Sequence, residues 1–317
     1  MIVRWGLDAL PEVLAELGIE RPLLVASQRW SSLDLPAAAT WNEIPSHRIE
    51  ASGDVDGLLA VGGGSAIDTA KAPSAAQGLP LVSVPTTYSG SEWTPTFGVR
   101  DPDRKLVGGG AGANLAGIVY DPQLSVGLPR AESGGTAMNA LAHTAEALYV
   151  TGRTDEGDER ALAGAQLIAE VLPLVLERPD DLERRTHLLE GAAHAGEALA
   201  LAGLGLGHAM AQAVGGAYGL PHGTMNAIVL PAALRFNAEF APEAVRRFGE
   251  AIGAPDDPAA KVESLAALSG PTRLRDVGVP EADLSVLAAA AAGRAGNRAN
   301  PRPATVDEIE ALYRSIW

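Results

Sequence analysis

Cysteine is absent from this 317-residue sequence, and the absence removes three kinds of chemistry. Disulfide bonds, thiolate catalysis and zinc sites built on cysteine are all excluded. Basic residues are also scarce, since 24 Lys and Arg stand against 39 Asp and Glu, for a formal net charge of −15. Nucleic acid is therefore not an expected partner, because phosphate binding needs clustered Lys and Arg.

Long apolar runs are missing as well. No stretch approaches the roughly 18 apolar residues of a membrane span without Gly, Pro or a charge, so no membrane partner is expected. The opening residues MIVRWGLDALPEVL hold no uninterrupted apolar segment of the kind a secretory signal needs, and we expect a cytoplasmic location. With 47% apolar and 20% charged residues, the composition is that of a soluble globular protein with one large or two ordinary domains.

The first part of the chain alternates between strand-like and helix-like patterns. Residues 8–18 carry apolar residues at helical spacing and end in Gly. Compact apolar runs at 22–27, 58–61 and 81–84 are typical of strands buried on both faces. From residue 131 onward Ala, Leu and Glu recur at helical spacing and strand-like runs become rare. The sequence therefore predicts an α/β domain with a mostly parallel sheet over 1–130 and an all-helical domain over 131–317.

A glycine-rich turn links the second of these apolar runs to a helix-like segment in GLLAVGGGSAIDTAKA (57–72). Glycine lets the backbone approach a phosphate, and a helix N-terminus offers unpaired N–H groups, so this unit is a candidate for binding a nucleotide pyrophosphate. The alternative is a tight turn without a ligand. A second candidate is the hydroxyl-rich segment after the run at 81–84, which either lines a nucleotide crevice or is an ordinary polar loop; its members are Thr86, Thr87, Ser89, Ser91 and Thr94.

Three of the six histidines lie in helix-permissive segments of the second half. Asn139 and His143 are four residues apart, which places both on one face of a helix. His208 lies in a second such run, and His222 follows directly after a proline. Three imidazoles with a fourth polar ligand commonly hold zinc or ferrous iron. Each histidine could equally be an ordinary core or surface residue.

These segments occur in the order of a known family. The sequence resembles the iron-containing (group III) alcohol dehydrogenase superfamily and, within it, is most similar to maleylacetate reductases. The resemblance rests on VGGGSAIDTAKA, SVPTTYSGSEWTPTFGV, IVYDPQL, GTAMNALAHTAEALY, GLGHAMAQAVGGAYGLPHGTMNAIVLPAALRFN, GPTRLRDVGVP and NPRPAT. It implies a dehydroquinate synthase-like fold, with an N-terminal dinucleotide-binding domain, an all-helical domain and an active site in the cleft between them. It also implies a homodimer.

The resemblance also assigns residues. Glycines 62–64 and Ser65 would hold the cofactor pyrophosphate, and a lysine near the cleft falls on Lys105. The three glycines are Gly62, Gly63 and Gly64. The other cofactor-binding positions fall on Asp68, Thr86, Thr87 and Ser91. The metal-ligand positions fall on Asn139, His143, His208 and His222.

Two positions depart from the metal-dependent members. The first metal ligand, Asp in those enzymes, is Asn139 here, and losing a carboxylate weakens divalent binding. Maleylacetate reductases also tend to carry Asn there and are thought to work without metal. Another family histidine is replaced by Gln212, which cannot transfer a proton.

The cofactor choice depends on the residues that follow the first buried run. NAD-preferring members often carry an Asp there, whereas this chain has Ser27-Gln28-Arg29. Arg29 could pair with a 2′-phosphate, so NADP(H) is expected to serve beside NAD(H). The alternative is that Arg29 is a solvated surface residue.

The leading hypothesis is an NAD(P)H-dependent reductase of a small oxo-acid. His143, His208 and His222 would donate hydrogen bonds to the substrate oxygen, and Lys105 would add a positive charge. Arg100 is a candidate for binding a dicarboxylate. Two alternatives stay open: an iron- or zinc-dependent alcohol dehydrogenase, and a family member that binds nucleotide without turnover.

Overall fold

The computed structural model describes residues 1–46, 49, 54–101 and 106–317. The chain forms two compact units. The first comprises residues Met1–Thr87 and Ser91–Leu128, and the second comprises Tyr88–Gly90 and Pro129–Trp317.

Six parallel strands form the sheet of the first unit. In sheet order they are β1 (Ile2–Trp5), β8 (Asn114–Tyr120), β5 (Pro80–Pro85), β4 (Gly57–Gly62), β2 (Pro22–Ala26) and β3 (Ala39–Trp41). Two further strands pair as an antiparallel hairpin, β6 (Phe97–Arg100) and β7 (Leu106–Gly110).

Two apolar cores lie on the two faces of this sheet, and this is why its central strands β2 and β4 are apolar at every position and β5 at every position except Ser83. In β4, Leu59 and Val61 join the core that includes helix α1 (Leu10–Glu16). Leu58 and Ala60 join the core that includes helix α2 (Gly64–Gln77). A third, short helix of this unit is α3 (Gln123–Val126). The buried runs expected at 22–27, 58–61 and 81–84 are β2, β4 and β5.

The order of the strands fixes where a ligand can bind. From β2 the chain moves outward to β3, and from β4 it moves to β5 on the other side. Because β2 and β4 are neighbours, the two connections leave in opposite directions, and the crevice at the carboxyl ends of such strands is the usual ligand site of an open α/β sheet. Ala26 is in register with Val61, and Gly62 with Pro85. The residues after β2, β4 and β5 therefore leave the sheet at the same edge.

The second unit is helical throughout the part that the structure describes. Its helices are α4 (Arg130–Ala147), α5 (Asp155–Glu177), α6 (Leu182–Ala202), α7 (Leu206–Tyr218), α8 (His222–Phe240), α9 (Pro242–Ala251), α10 (Pro258–Ala267), α11 (Leu284–Ala292), α12 (Ala295–Ala299) and α13 (Val306–Ser315). Helix α4 is buried along most of its length and packs against α5, α6 and α8.

No single helix in the described ranges is long and apolar enough to cross a membrane. Helices α6 and α7 meet the length and composition criteria only as a pair, which is bent by 102°.

Candidate functional site

The glycine turn after β4 is built to keep side chains away from the start of α2. Gly62 has a φ of 152°, and a Cβ on it would lie 2.7 Å from the Cβ of Ala66. A Cβ on Gly63 would lie 2.8 Å from Cγ2 of Thr87. Gly63 is also the N-cap of α2 and provides no side-chain cap, so N–H groups of the first turn remain open to a ligand.

The end of β5 supplies a polar atom beside this turn. Oγ1 of Thr87 is buried and has no hydrogen-bond partner among the described residues. It lies 3.2 Å from the position that a Cβ on Gly63 would take. Gly64 and Ser65 form the first turn of α2, and Thr86 donates its backbone N–H to the Gly62 carbonyl. A helix N-terminus, a glycine cradle and an unpartnered hydroxyl together fit the pyrophosphate of a dinucleotide.

Arg29 follows β2 at the same edge of the sheet. Its Nη2 donates to the Gly127 carbonyl at 2.8 Å, and its guanidinium lies 4.9 Å from the ring centroid of Trp30. The guanidinium is thus held by its own unit, and its contact with a 2′-phosphate stays a prediction.

Asp68 and Ser91, both predicted to bind the cofactor, are hydrogen-bonded to each other. Ser91 Oγ donates to Asp68 Oδ1 at 2.6 Å, and the fully buried Lys71 donates to both, at 3.1 Å to Asp68 and 2.9 Å to Ser91. Lys71 also donates to the Thr96 carbonyl at 2.9 Å, and Asp68 Oδ2 accepts from the Gly98 N–H at 3.2 Å. Burial lowers the pKa of Lys71, and the Asp68 carboxylate partly offsets this. The motif residue Lys71 thus ties α2 to the hydroxyl-rich segment, and a cofactor contact of Asp68 or Ser91 stays a prediction.

Three histidines and two asparagines form a cluster in the helical unit. Asn139 and His143 lie on α4, His208 on the first turn of α7, and His222 and Asn226 on the first turns of α8. The rings of His143 and His208 are stacked at 4.8 Å between centroids, and those of His208 and His222 are 5.5 Å apart. The structure therefore brings together all four positions that the resemblance assigned to a metal.

Close packing of two glycines brings α8 against α4. A Cβ on Gly223 would lie only 2.4 Å from the Gly135 carbonyl oxygen, so the two backbones touch where no side chain could fit. This contact places His222, one residue earlier, next to the α4 face that carries Asn139.

The Asn139 amide is oriented by the backbone of Tyr88–Gly90. Its Nδ2 donates to the Ser89 carbonyl at 3.0 Å and lies 3.4 Å from Nε2 of His143. Its Oδ1 accepts from Asn226 Nδ2 at 2.7 Å and lies 3.3 Å from Nε2 of His208. This orientation makes Nε2 of His143 an acceptor and places an acceptor oxygen, Oδ1, beside Nε2 of His208.

The three Nε2 atoms thus point at amides. His222 Nε2 lies 3.0 Å from Asn226 Nδ2, which completes the set. Within residues 1–46, 49, 54–101 and 106–317, no group of three or more His, Cys, Asp or Glu side chains could hold a metal ion. As the rings lie, two of the three Nε2 atoms accept from amide N–H groups, and the set offers a divalent metal three imidazoles and an amide but no carboxylate, which makes it a weaker site than one with Asp at position 139.

Two buried atoms of the cluster are left without a partner within the part of the chain that the structure describes. They are Nδ1 of His143 and Oδ1 of Asn226. Since Nε2 of His143 accepts, its Nδ1 carries the hydrogen, and the cluster keeps one unused donor and one unused acceptor. Burial, with smaller contributions from His208 and His222, lowers the pKa of His143 well below the usual value, so this ring is neutral.

The remaining predicted residues lie outside the histidine cluster or outside the residues that the structure describes. Gln212 lies on α7, and its carbonyl groups face Arg294 at 3.3 and 3.4 Å. Arg100 ends β6. Lys105 lies outside the described residues.

Sequence reasoning missed Asn226 and Glu146. Asn226 follows His222 by four residues, the spacing that drew attention to Asn139 and His143. Glu146 follows His143 by three residues, and its carboxylate Oε2 lies 2.6 Å from Nδ1 of His208.

Two family models match the chain. The model described as the C-terminal part of the Fe-containing alcohol dehydrogenase family matches residues 134–317, and that described as iron-containing alcohol dehydrogenase matches residues 46–115. The chain belongs to the iron-containing alcohol dehydrogenase family. The resemblance and the fold class expected from the sequence are thereby confirmed.

Within this family the chain is similar to maleylacetate reductases. Maleylacetate reductase 1 of Cupriavidus pinatubonensis is 33% identical, over 96% of this chain and 91% of that protein. The maleylacetate reductase of Pseudomonas knackmussii is 31% identical, over 98% of this chain and 93% of that protein. The crystal structure of maleylacetate reductase from Agrobacterium tumefaciens superposes with a TM-score of 0.88 at 27% identity, covering 100% of this chain and 95% of that one. The chain is an NAD(P)H-dependent oxidoreductase of the iron-containing alcohol dehydrogenase family.

Proposed function

We propose that this protein reduces maleylacetate, or a closely similar unsaturated oxo-dicarboxylate, with NAD(P)H. The observation that carries the proposal is the cluster in which three imidazole Nε2 atoms face the amides of Asn139 and Asn226. Such a cluster offers hydrogen bonds to a substrate without a metal. Proteins named for this reaction are 31% to 33% identical to the chain over nearly its whole length.

The cofactor is proposed to bind at the edge of the sheet where β4 meets α2. The glycine turn and the N-terminus of α2 accommodate the pyrophosphate, and Thr87 Oγ1 provides a hydroxyl beside it. When bound, the nicotinamide supplies the hydride. The absence of a carboxylate in Ser27-Gln28-Arg29 supports the use of NADPH as well as NADH.

The histidine cluster is proposed to act on the substrate's oxygen. Nδ1 of His143 carries an unused hydrogen, and Oδ1 of Asn226 is an unused acceptor. Donors fixed in advance stabilise a developing oxyanion without reorganising when the reaction occurs. His208 and His222 complete the proposed site, and Lys105 and Arg100 remain candidates for binding the carboxylates. A cytoplasmic homodimer is proposed on the resemblance alone.

The test is oxidation of NADH and of NADPH by the purified protein in the presence of maleylacetate, with zinc and iron measured in the same preparation. We expect turnover with at least one cofactor, at a rate that a chelator does not change. Turnover of alcohols or aldehydes that disappears on chelation and returns with zinc or iron would contradict the proposal. A histidine-cluster variant, His143→Ala, should lose turnover yet bind NADPH as the wild type does.

A further inference from the structure

We infer that Glu146 is the positioning residue of His208, because a single carboxylate fixes both the start of α7 and the orientation of the imidazole ring. The inference rests on the proposed function for its catalytic consequence. Its structural basis lies entirely within the helical unit.

Glu146 accepts three hydrogen bonds from the first turn of α7. The backbone N–H of Gly205 donates to Oε2 at 2.6 Å, and that of His208 donates to Oε1 at 3.0 Å. Nδ1 of His208 lies 2.6 Å from Oε2. Gly205 is the N-cap of α7 and has no cap of its own, so a carboxylate from α4 takes the place of a local capping side chain.

The sequence around His208 leaves room for this carboxylate. A Cβ on Gly205 would lie 3.1 Å from Cδ of Glu146, and a Cβ on Gly207 would lie 2.9 Å from Oε1. Any side chain at Gly207 would push the carboxylate off the helix start. The spacing Gly-Leu-Gly-His thus brings three donors to one carboxylate.

The environment of Glu146 leaves it few partners. Its side chain and that of His208 are fully buried, and His208 is its only ion-pair partner among the described side chains. A buried carboxylate is costly unless its lone pairs are filled, and here the helix start and the ring fill them. The Glu146 carboxylate is therefore held by the backbone at the start of α7 and by the His208 ring.

These contacts fix the orientation of the His208 ring. With Nδ1 bound to Glu146, Nε2 faces Oδ1 of Asn139 at 3.3 Å, and the ring is stacked on His143 at an interplanar angle of 17°. His208 is thus the ring with an acceptor at each nitrogen, whereas Nδ1 of His143 has no partner among the described residues. A carboxylate behind a histidine fixes its tautomer. Behind a metal-ligating histidine, loss of such a carboxylate typically costs about 10- to 100-fold in metal affinity or activity, and we expect an effect of the same order here.

A double-mutant cycle with Glu146→Gln and His208→Asn tests the inference. Asn keeps an amide nitrogen near the place of Nδ1, so Glu146 retains a donor while Nε2 is removed. We expect E146Q alone to lower kcat about 10- to 100-fold and to leave the KM for NADPH within about twofold. In the H208N background, E146Q should cost little further kcat, because a residue that acts through another adds nothing once that other is gone. Multiplied losses would overturn the inference.

Proton NMR tests the contact without any substrate and without the variants of Glu146. A buried Nδ1–H held by a carboxylate should give a signal downfield of the amide region in the wild type, and H208N should lack it. Absence of the signal in the wild type would overturn the inference, whatever the protein reduces. Failure of the wild type to turn over maleylacetate, with the signal present, would overturn the proposed function alone.

Discussion

Asn139 determines the hydrogen-bond direction of the whole histidine cluster. Its amide joins the Ser89 carbonyl, two imidazoles and Asn226, so one residue decides which nitrogens donate. Replacing its nitrogen by an oxygen would place an acceptor against the Ser89 carbonyl and Nε2 of His143. The identity of this one residue, Asn or Asp, is therefore expected to decide between metal-free chemistry and metal binding.

Asn139→Asp should convert the cluster into a metal site. The new carboxylate cannot donate to the Ser89 carbonyl or to His143, and with three imidazoles it makes a set that zinc prefers. We expect affinity for Zn²⁺ or Co²⁺ to rise by more than about 100-fold, beyond the range of outer-shell changes. Metal content after dialysis, and the visible absorption of Co²⁺, measure this. Asn139→Ala, which adds no charge, is the control; equal Co²⁺ binding by the wild type and N139D would show the expectation to be wrong.

Gly90→Ala should lower activity more than it lowers stability. Gly90 has a φ of 74°, and its Cβ would lie 3.2 Å from Cε1 of His143. The backbone strain costs about 1–2 kcal/mol of unfolding free energy, and the methyl group also presses on the ring. Gly253→Ala is a matched control, since its φ is 72° and nothing lies within 4 Å of the added Cβ. Both variants should lose similar stability in denaturant titrations, and only G90A should lose kcat.

Resemblance located the four cluster positions, and helical spacing placed Asn139 beside His143. Spacing could not reveal Ser89, because a backbone carbonyl has no sequence signature. Nor could it reveal Glu146, whose partners lie 59 and 62 residues further along the chain. Which nitrogen donates depends on contacts among three helices, and no local pattern records that.

At the scale of elements, α2 is held to the hydroxyl-rich segment by a buried cation. Lys71 is fully buried and the Asp68 side chain is 28% exposed, so the pair sits at the boundary of the core. Helix α2, whose N-terminus carries the glycine turn, is thus bound to the hydroxyl-rich segment through residues of its second and third turns. This arrangement makes the pair a structural support of the cofactor site.

Asp68→Asn should destabilise the protein by about 3–5 kcal/mol, because it removes the carboxylate that is hydrogen-bonded to the buried Lys71 cation. The double variant Asp68→Asn with Lys71→Met should be less destabilised, since the buried Lys71 cation is then removed as well. Urea titration of the three proteins measures the difference. A double variant less stable than D68N would show that the cation is satisfied by its neutral partners alone.

The sequence predicted the central strands well and the peripheral ones poorly. Strands β2, β4 and β5 are buried on both faces, so apolar runs mark them. β3 has only three residues, and β7 is Leu-Val-Gly-Gly-Gly, exposed at each position, which carries neither alternation nor an apolar run. Short edge strands and exposed hairpins depend on tertiary pairing, and a local pattern does not indicate it.

At the scale of the whole molecule, the net charge of −15 opposes its proposed ligands. A nicotinamide dinucleotide and a dicarboxylate are both anions, and long-range repulsion slows their approach. The change of pattern near residue 130 predicts two parts of different character, and the compact units have their own division, in which Tyr88–Gly90 belongs with Pro129–Trp317.

Raising ionic strength from 0.01 to 0.1 M should therefore increase kcat/KM for maleylacetate. The Debye length falls from about 30 to about 10 Å over this range, and the gain should reach up to about tenfold. Sodium chloride and tetramethylammonium chloride should give the same curve, because the effect is screening and not ion binding. A decrease with salt would mean that local cations such as Arg100 or Lys105 dominate the field.

The segment Tyr88–Gly90 limits how this chain could recombine with its relatives. The chain enters the helical unit for three residues, returns to the sheet unit, and crosses again only after Leu128. The Tyr88 hydroxyl accepts from Arg185 at 3.0 Å, and the Ser89 carbonyl accepts from Asn139. A chimera made by one crossover near residue 129 would join these three residues from one parent to Arg185 and Asn139 from another. Family shuffling should therefore yield active hybrids chiefly when Tyr88–Gly90 is inherited together with the helices.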